Sequence, residues 1–325
     1  LWAYLNTAWL YWQQRDYAAV VAAVTPRTDI ADDDVLAFSQ QVLYGYGLMA
    51  QKQWPAALSH WQGLLKHTHD NERRAFLQMQ VAAVQVYSGN VPAIFASDSQ
   101  VNNLRYRSLV LKTVASPELL RQQVVQGMND EERTIALHTL LMRDLMAGQY
   151  QAWLNDKVLI SHIAHPVRDD AFSDVNLSLF DWDGQNAETG YTCHSIDETV
   201  QALSRNADDL HGLNCLGEFI RAGQAVIAID QDKGGNSNLD VAIDSQKPTL
   251  RANRMAWYQR IIHDPKAEPE DRSFALYRAV MCYAPSGYSD CGGEDVEKSM
   301  RKQWFTQLHS QYPGNKWAEK LRYYW

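Results

Sequence analysis

An all-α fold of stacked helical hairpins, interrupted by a loop-rich middle insertion, is what three features of this sequence predict. Apolar residues recur at three- and four-residue spacing over most of the chain, as in "LYGYGLMAQKQWPAALSHWQGLL", which breaks into two amphipathic stretches near Gln53. The pattern also repeats: Val20, Ala57 and Ile94 stand 37 residues apart twice over, and so do Ala8, Gly45 and Ala82 in the preceding segments. Small residues at such recurring positions are expected where two helices cross closely. Finally, the 325 residues are 46% hydrophobic and 21% charged, which is enough apolar material for a packed core and argues against a disordered chain.

Taken in order, "RDYAAVVAAV" places Tyr17, Val20 and Val24 on one helical face, "QWPAALSHW" does the same with Trp54, Ala57 and Trp61, and "GNVPAIFAS" with Val91, Ile94 and Asp98. In the third copy an acid replaces the apolar residue. A fourth unit is expected in "RTIALHTLLMRDLMAGQYQAWL", with Gly148 and Tyr150 at its turn and Trp153 in its second helix. Residues 1–155 therefore read as a run of hairpins. From 156 to 265 the pattern breaks into turn-rich stretches, a short alternation at Val175, Leu177 and Leu179 that fits a loop with or without a small β-hairpin, and a helical "HGLNCLGEFIRAGQAVIAI". Long helices resume around Pro265 and Pro269, so that residues 266–325 form a last hairpin with a capping helix. Phe305, Leu308 and Pro313 mark its second-helix spacing, and the terminal Tyr323, Tyr324 and Trp325 are expected to dock on it.

The best unit, with Tyr44, Gly45, Leu48, Trp54, Ala57, Trp61 and Leu64, resembles the tetratricopeptide repeat (TPR), a helix-turn-helix of 34 residues with a small residue in each helix. The ending "YPGNKWA" is similar to repeat units of envelope assembly lipoproteins. The resemblance covers residues 1–155 and 270–325 and implies a TPR-like α-solenoid whose first helices line a concave groove. Carried over by register, Trp9, Trp12, Gln13, Tyr46, Met49, Val86, Tyr87 and Met146 would face that groove. The same residues could also serve as packing between repeats.

Charge and cysteines bound the partner and the compartment. Thirty basic against thirty-eight acidic residues give a net charge of −8, so a nucleic acid would be held against the prevailing field. No apolar run reaches the roughly 18 to 20 residues of a membrane-spanning helix. The first residue is Leu1, not Met, which leaves room for a preceding leader or lipid anchor. Four cysteines form two sequence-local pairs, Cys193 with Cys215 and Cys282 with Cys291. The second pair brackets the turn-forming Pro285 and Gly287, and a bridge there would contribute about 2–4 kcal/mol. Disulfides imply an oxidising compartment, such as a bacterial periplasm; four buried thiols are the cytosolic alternative.

Catalytic and metal-binding patterns are weak. His162 and His165 precede Asp169 and Asp170, but Pro166 ends any helix between them and no glutamate intervenes. "DQDKGGNSNLD" places Asp230, Asp232, Gly234, Asn236 and Asn238 like a calcium loop, with Gly235 at the sixth position but Val241 where a glutamate is required. Phosphate loops, nucleophile elbows and dinucleotide fingerprints do not occur. The acids Glu131, Glu132, Glu268 and Glu270 sit at helix starts. The expectation is a non-catalytic scaffold of the bacterial envelope without cofactor or metal, binding a protein or peptide. The 11 Trp and 16 Tyr residues leave a glycan-binding or peptidoglycan-binding module as the rival class, and an enzyme with a fold-assembled acid or histidine site as the weaker one.

Overall fold

The computed structural model describes residues 2–165, 175–223, 237–248, 253–285 and 291–325, and every regular element among them is helical. In chain order these are α1 (Trp2–Gln13), α2 (Tyr17–Ala23), α3 (Val35–Ala50), α4 (Trp54–His67), α5 (Asn71–Tyr87), α6 (Leu104–Thr113) and α7 (Pro117–Gln126). There follow α8 (Asp130–Met146), α9 (Tyr150–Lys157), α10 (Ile196–Arg205), α11 (Leu210–Ala222) and α12 (Asn238–Ser245). The last are α13 (Arg254–His263), α14 (Pro269–Met281), α15 (Lys298–Gln311) and α16 (Lys316–Lys320). Two compact units divide the chain: Leu1–Gln123 with Ile229–Thr249, and Val124–Ala228 with Leu250–Trp325.

The 37-residue recurrence has a backbone cause. Arg15, Lys52 and Gly89 end their helices in the left-handed region, at φ 59°, 56° and 72°. In each case the next N–H reaches back five residues, Asp16 to Tyr11 at 3.0 Å, Gln53 to Leu48 at 2.9 Å and Asn90 to Gln85 at 2.9 Å. That pair of features defines a Schellman cap, which satisfies orphan carbonyls and turns the chain sharply. Gly148 (φ 67°) and the Gln149 bond to Asp144 at 2.8 Å repeat the device between α8 and α9. At Arg15 and Lys52 a side chain occupies a conformation that costs roughly 1 kcal/mol or more without glycine, so the surrounding packing must hold those turns.

Packing across the turns follows the same register. Ala8, Ala82, Val20 and Ala57 are 0% exposed and Ile94 1%, with Gly45 buried as well. Gly45 lets Trp61 of α4 lie directly on the backbone of α3, since a β-carbon there would overlap the indole ring. Residues Gly47 and Gly63 make similar room for Val21 and Thr28, at 2.9 and 2.6 Å from an added β-carbon.

The third hairpin departs from expectation. The second helix foreseen after Gly89 is a five-residue 3-10 turn, Val91–Phe95, that stops at a turn over Ser97 and Asp98. Its place against α5 is taken by α12, more than 150 positions downstream, which also touches α6. A reciprocal capping box between Ser237 and Asp240 starts that helix.

In the second unit, α8, α9, α10, α11, α13, α14 and α15 follow one another, each next element packing on an earlier one. The stretch of Val175, Leu177 and Leu179 holds a 3-10 turn, Leu177–Asp181, and not a β-hairpin; in it Leu177 and Phe180 share a buried face three residues apart. Helix α10 lies in the zone read as irregular; its capping box, Ser195 with Glu198, and its buried Ile196, Thr199, Val200 and Leu203 explain why it forms. Both cysteine pairs, Cys193–Cys215 and Cys282–Cys291, are within bonding distance, with Cα separations of 5.5 and 5.4 Å. Tyr324 packs on Phe305 at 5.4 Å, whereas Tyr323 stays 68% exposed. No helix among the described residues is long and apolar enough to cross a membrane.

Candidate functional site

An apolar groove of about 680 Å³ opens in the first unit. Helix α1 supplies Leu5, Asn6, Trp9 and Trp12, α3 supplies Phe38, Ser39, Val42, Leu43 and Tyr46, and α5 supplies Phe76. These helices open three successive 37-residue segments, and the 3.6-residue period aligns their stripes: 5, 9 and 12 on α1, and 38, 42 and 46 on α3. The rings form a continuous tilted array, with Trp12 5.9 Å from Tyr46, Tyr46 6.5 Å from Phe76 and Phe38 6.2 Å from Phe76. Trp61 supports it from below, 5.9 Å from Tyr46 and 6.2 Å from Phe76. At the rim, the Arg73 guanidinium lies 4.5 Å over the Phe38 ring. Trp9 remains 49% exposed, so a large apolar surface stays in water.

A half-buried polar side chain of the groove is tied to the fold. The Tyr46 hydroxyl is hydrogen-bonded to the side chains of Asn238 and Gln80, and burial raises its pKa, so it stays neutral. Asn238 also donates to Gln80 Oε1 at 2.8 Å. The first residue of α12 thereby fixes a side chain of the groove, a link with no signature in local sequence.

Of the residues assigned by register, Trp9, Trp12 and Tyr46 line this groove. Gln13 is exposed at the end of α1 and Met49 is half-buried one turn beyond Tyr46. Val86 is 0% exposed and belongs to the interior of α5 packing. Tyr87 stacks flat on Trp54, 4.8 Å between centroids with planes 4° apart. Met146 is half-buried in the second unit. Leu5, Phe38, Val42 and Phe76 were not foreseen, although the first three continue the stripes of Trp9, Trp12 and Tyr46.

A second concavity, about 960 Å³ and largely polar, lies in the second unit between the ends of α10, α11, α13 and α14. His211, Asp271, His263, Lys266 and Glu268 are on its wall, as is Arg260, which pairs with Asp208. His211 Nδ1 is 2.9 Å from Asp271 Oδ1, and the Tyr191 hydroxyl donates to the same oxygen at 2.5 Å. Asn214 donates to the Tyr191 oxygen and to the Asp271 carbonyl, both at 3.0 Å. The Asp271 hydrogen bond raises the His211 pKa against the opposing effect of burial. Burial, then the Asp271 charge, raise that of Tyr191 and keep its phenol protonated. Asp271 itself is lowered, because the bonds from His211 and Tyr191 outweigh burial. The other imidazole nitrogen, Nε2, faces the sulfur of Cys215 at 3.6 Å.

Deeper in this unit Glu218 is 0% exposed and fully engaged. Arg278 Nε lies 2.8 Å from its Oε1, Arg221 Nη2 2.6 Å from its Oε2, and the Glu188 N–H donates to it at 2.7 Å. Glu188 in turn pairs with Arg278 at 2.6 Å and Lys320 at 3.1 Å. Burial alone would raise the Glu218 pKa; the two guanidinium groups and the N–H bring it below the ordinary value. This network joins the segment before α10 to α11, α14 and α16, which is a structural task.

Among the described residues no cluster of three or more His, Cys, Asp and Glu side chains could hold a metal. His162 closes a 3-10 turn and the exposed His165 donates its N–H to Asp130, while Asp169 and Asp170 lie outside the described residues. The same holds for Asp230, Asp232, Gly234, Gly235 and Asn236 of the calcium-like stretch, and for Gly287 and Tyr288. No protein-family model, no curated protein and no solved structure matches the chain.

Proposed function

We propose that this chain is a non-catalytic, TPR-like scaffold that holds an apolar segment of a protein or peptide partner in the groove of α1, α3 and α5. The observation that carries the reading is the aromatic lining itself: Trp9, Trp12, Phe38, Tyr46 and Phe76 converge on one concavity and leave part of their surface in water. Preorganised rings of this kind make strong anchors, since little side-chain freedom is lost when a partner docks. An amphipathic helix laying its apolar face along the groove matches such a surface. The two cysteine bridges support residence in an oxidising space such as the bacterial envelope.

The test is a random peptide library displayed against the full chain, followed by calorimetric titration of the recovered peptides. Apolar anchors at helical spacing are expected, with Kd weakened at least tenfold by Trp12→Ala or Tyr46→Ala and helicity unchanged. Peptides that bind the Trp12→Ala protein as well as the parent would refute the groove assignment. Competition by soluble sugars would favour a glycan-binding role.

A further inference from the structure

The two cystine bridges stand in different chemical surroundings, and this difference assigns one of them a reactive role. Cys215 is on α11 one helical turn beyond His211, whose Nε2 lies 3.6 Å from the Cys215 sulfur. The opposite ring nitrogen, Nδ1, is held 2.9 Å from the Asp271 carboxylate. An imidazole fixed this way donates from both nitrogens when protonated, one hydrogen bond to Asp271 and one toward sulfur. Carboxylate, imidazole and sulfur are therefore in a row, with the carboxylate braced by the Tyr191 hydroxyl at 2.5 Å. A main-chain oxygen faces a sulfur of each bridge, that of Thr192 at 3.9 Å from Cys215 and that of Arg278 at 3.2 Å from Cys282, and the closer one opposes negative charge on its sulfur more strongly.

We propose that Cys193–Cys215 is a thiol-disulfide exchange site, reduced by a dithiol, in which Cys215 leaves as a thiolate paired with the His211 imidazolium. Exposure alone does not separate the bridges, since Cys193 and Cys215 are 9% and 1% exposed and Cys282 and Cys291 are 8% and 5%. Within the first bridge it does choose the point of attack: Cys193 is the more exposed residue of the pair, and its partner is the one placed against His211. A thiolate of the dithiol attacks Cys193 Sγ, the Cys193–Cys215 bond breaks, and its electron pair goes to Cys215. The second thiol of the reductant then attacks the sulfur it already bears in the mixed disulfide and releases Cys193. One dithiol is oxidised to its cyclic disulfide and one cystine is reduced to two cysteines, two electrons and two protons passing from the first to the second. A good leaving group is a sulfur whose thiolate is stabilised, which is what an adjacent imidazolium does. Stabilising the departing thiolate favours the reduced form, and a tenfold preference corresponds to about 30 mV for this two-electron couple.

The experiment equilibrates the full chain in buffers of reduced and oxidised dithiothreitol, traps thiols with N-ethylmaleimide in acid, and quantifies each pair by peptide mass spectrometry. Cys193–Cys215 is expected to open at a reduced-to-oxidised ratio about tenfold below that for Cys282–Cys291. His211→Gln should raise the first ratio about tenfold and leave the second unmoved, and Asp271→Asn should shift the first in the same direction by less. Equal midpoints in the parent protein, or a Cys193–Cys215 midpoint unmoved by His211→Gln in a protein of normal ellipticity, overturn the proposal. Should the variant fail to fold, the order of opening in the parent decides.

Discussion

Replacing Gly45 by alanine sets two well-known effects against each other, and the structure says which wins. In an exposed helix interior the change would stabilise by about 1 kcal/mol, because glycine is the poorer helix former. At Gly45, however, the new methyl would enter the space of the six-membered ring of Trp61. Trp61 is 0% exposed and touches Tyr46, His60 and Phe76, so a shift of its ring presses on those three side chains. Displacing roughly a third of a tryptophan's ~250 Å² into water costs about 2 kcal/mol, and residual overpacking adds about 1 kcal/mol. The net expectation is a loss of about 2 kcal/mol for Gly45→Ala. Urea unfolding followed by ellipticity supplies the stability difference, and the variant Trp61→Phe supplies the control, since it deletes the ring that the methyl would strike. In the Trp61→Phe background Gly45→Ala should be neutral or favourable, giving a coupling energy of about 2 kcal/mol between the two sites. A Gly45→Ala protein as stable as the parent would show that α3 and α4 do not cross at this point.

Two further outcomes follow from the second unit. Glu218→Gln leaves Arg278 buried with only Glu188 as its acidic partner, and should cost about 3 kcal/mol, the lower end of what breaking a buried pair costs. Because the Glu218 pKa is lowered in the folded state, its contribution is present above the ordinary value of 4.5 and is lost as pH falls through the folded one; denaturation midpoints of parent and variant should converge in acid. The His211–Asp271 pair has two edges: His211, raised, contributes below its ordinary 6.5 and loses that contribution as pH rises through its folded value, while Asp271, lowered, contributes above 3.8 and loses it in acid. The stability difference between parent and His211→Gln should therefore be largest near pH 5 and shrink on the alkaline side; a difference that grows with pH would contradict the assigned hydrogen bond.

What could be read in advance divides along the range of the interactions. Ala8, Gly45 and Ala82 announce a repeat because small buried residues recur at a spacing of 37, and the turns at Arg15, Lys52 and Gly89 are built by bonds spanning five residues. The groove stripe is legible for the same reason: Trp9, Trp12 and Tyr46 obey a helical period, and extending it by one turn reaches Leu5 and Val42. The capping box at Ser195 and Glu198 is equally local, although polar turn residues surround it. By contrast, α12 fills the place of a missing helix beside α5 through a contact between Gln80 and Asn238, and no periodicity links positions so far apart. The polar cluster of the second unit is also assembled at long range, with Tyr191, His211 and Asp271 coming from three separate segments. Yet its connection to Cys215 is again local, since His211 and Cys215 are four apart on one helix and must share a face. A histidine four residues before a bridged cysteine was thus the one part of this arrangement visible beforehand; the carboxylate that orients the histidine, and so gives the spacing chemical meaning, is supplied by the fold.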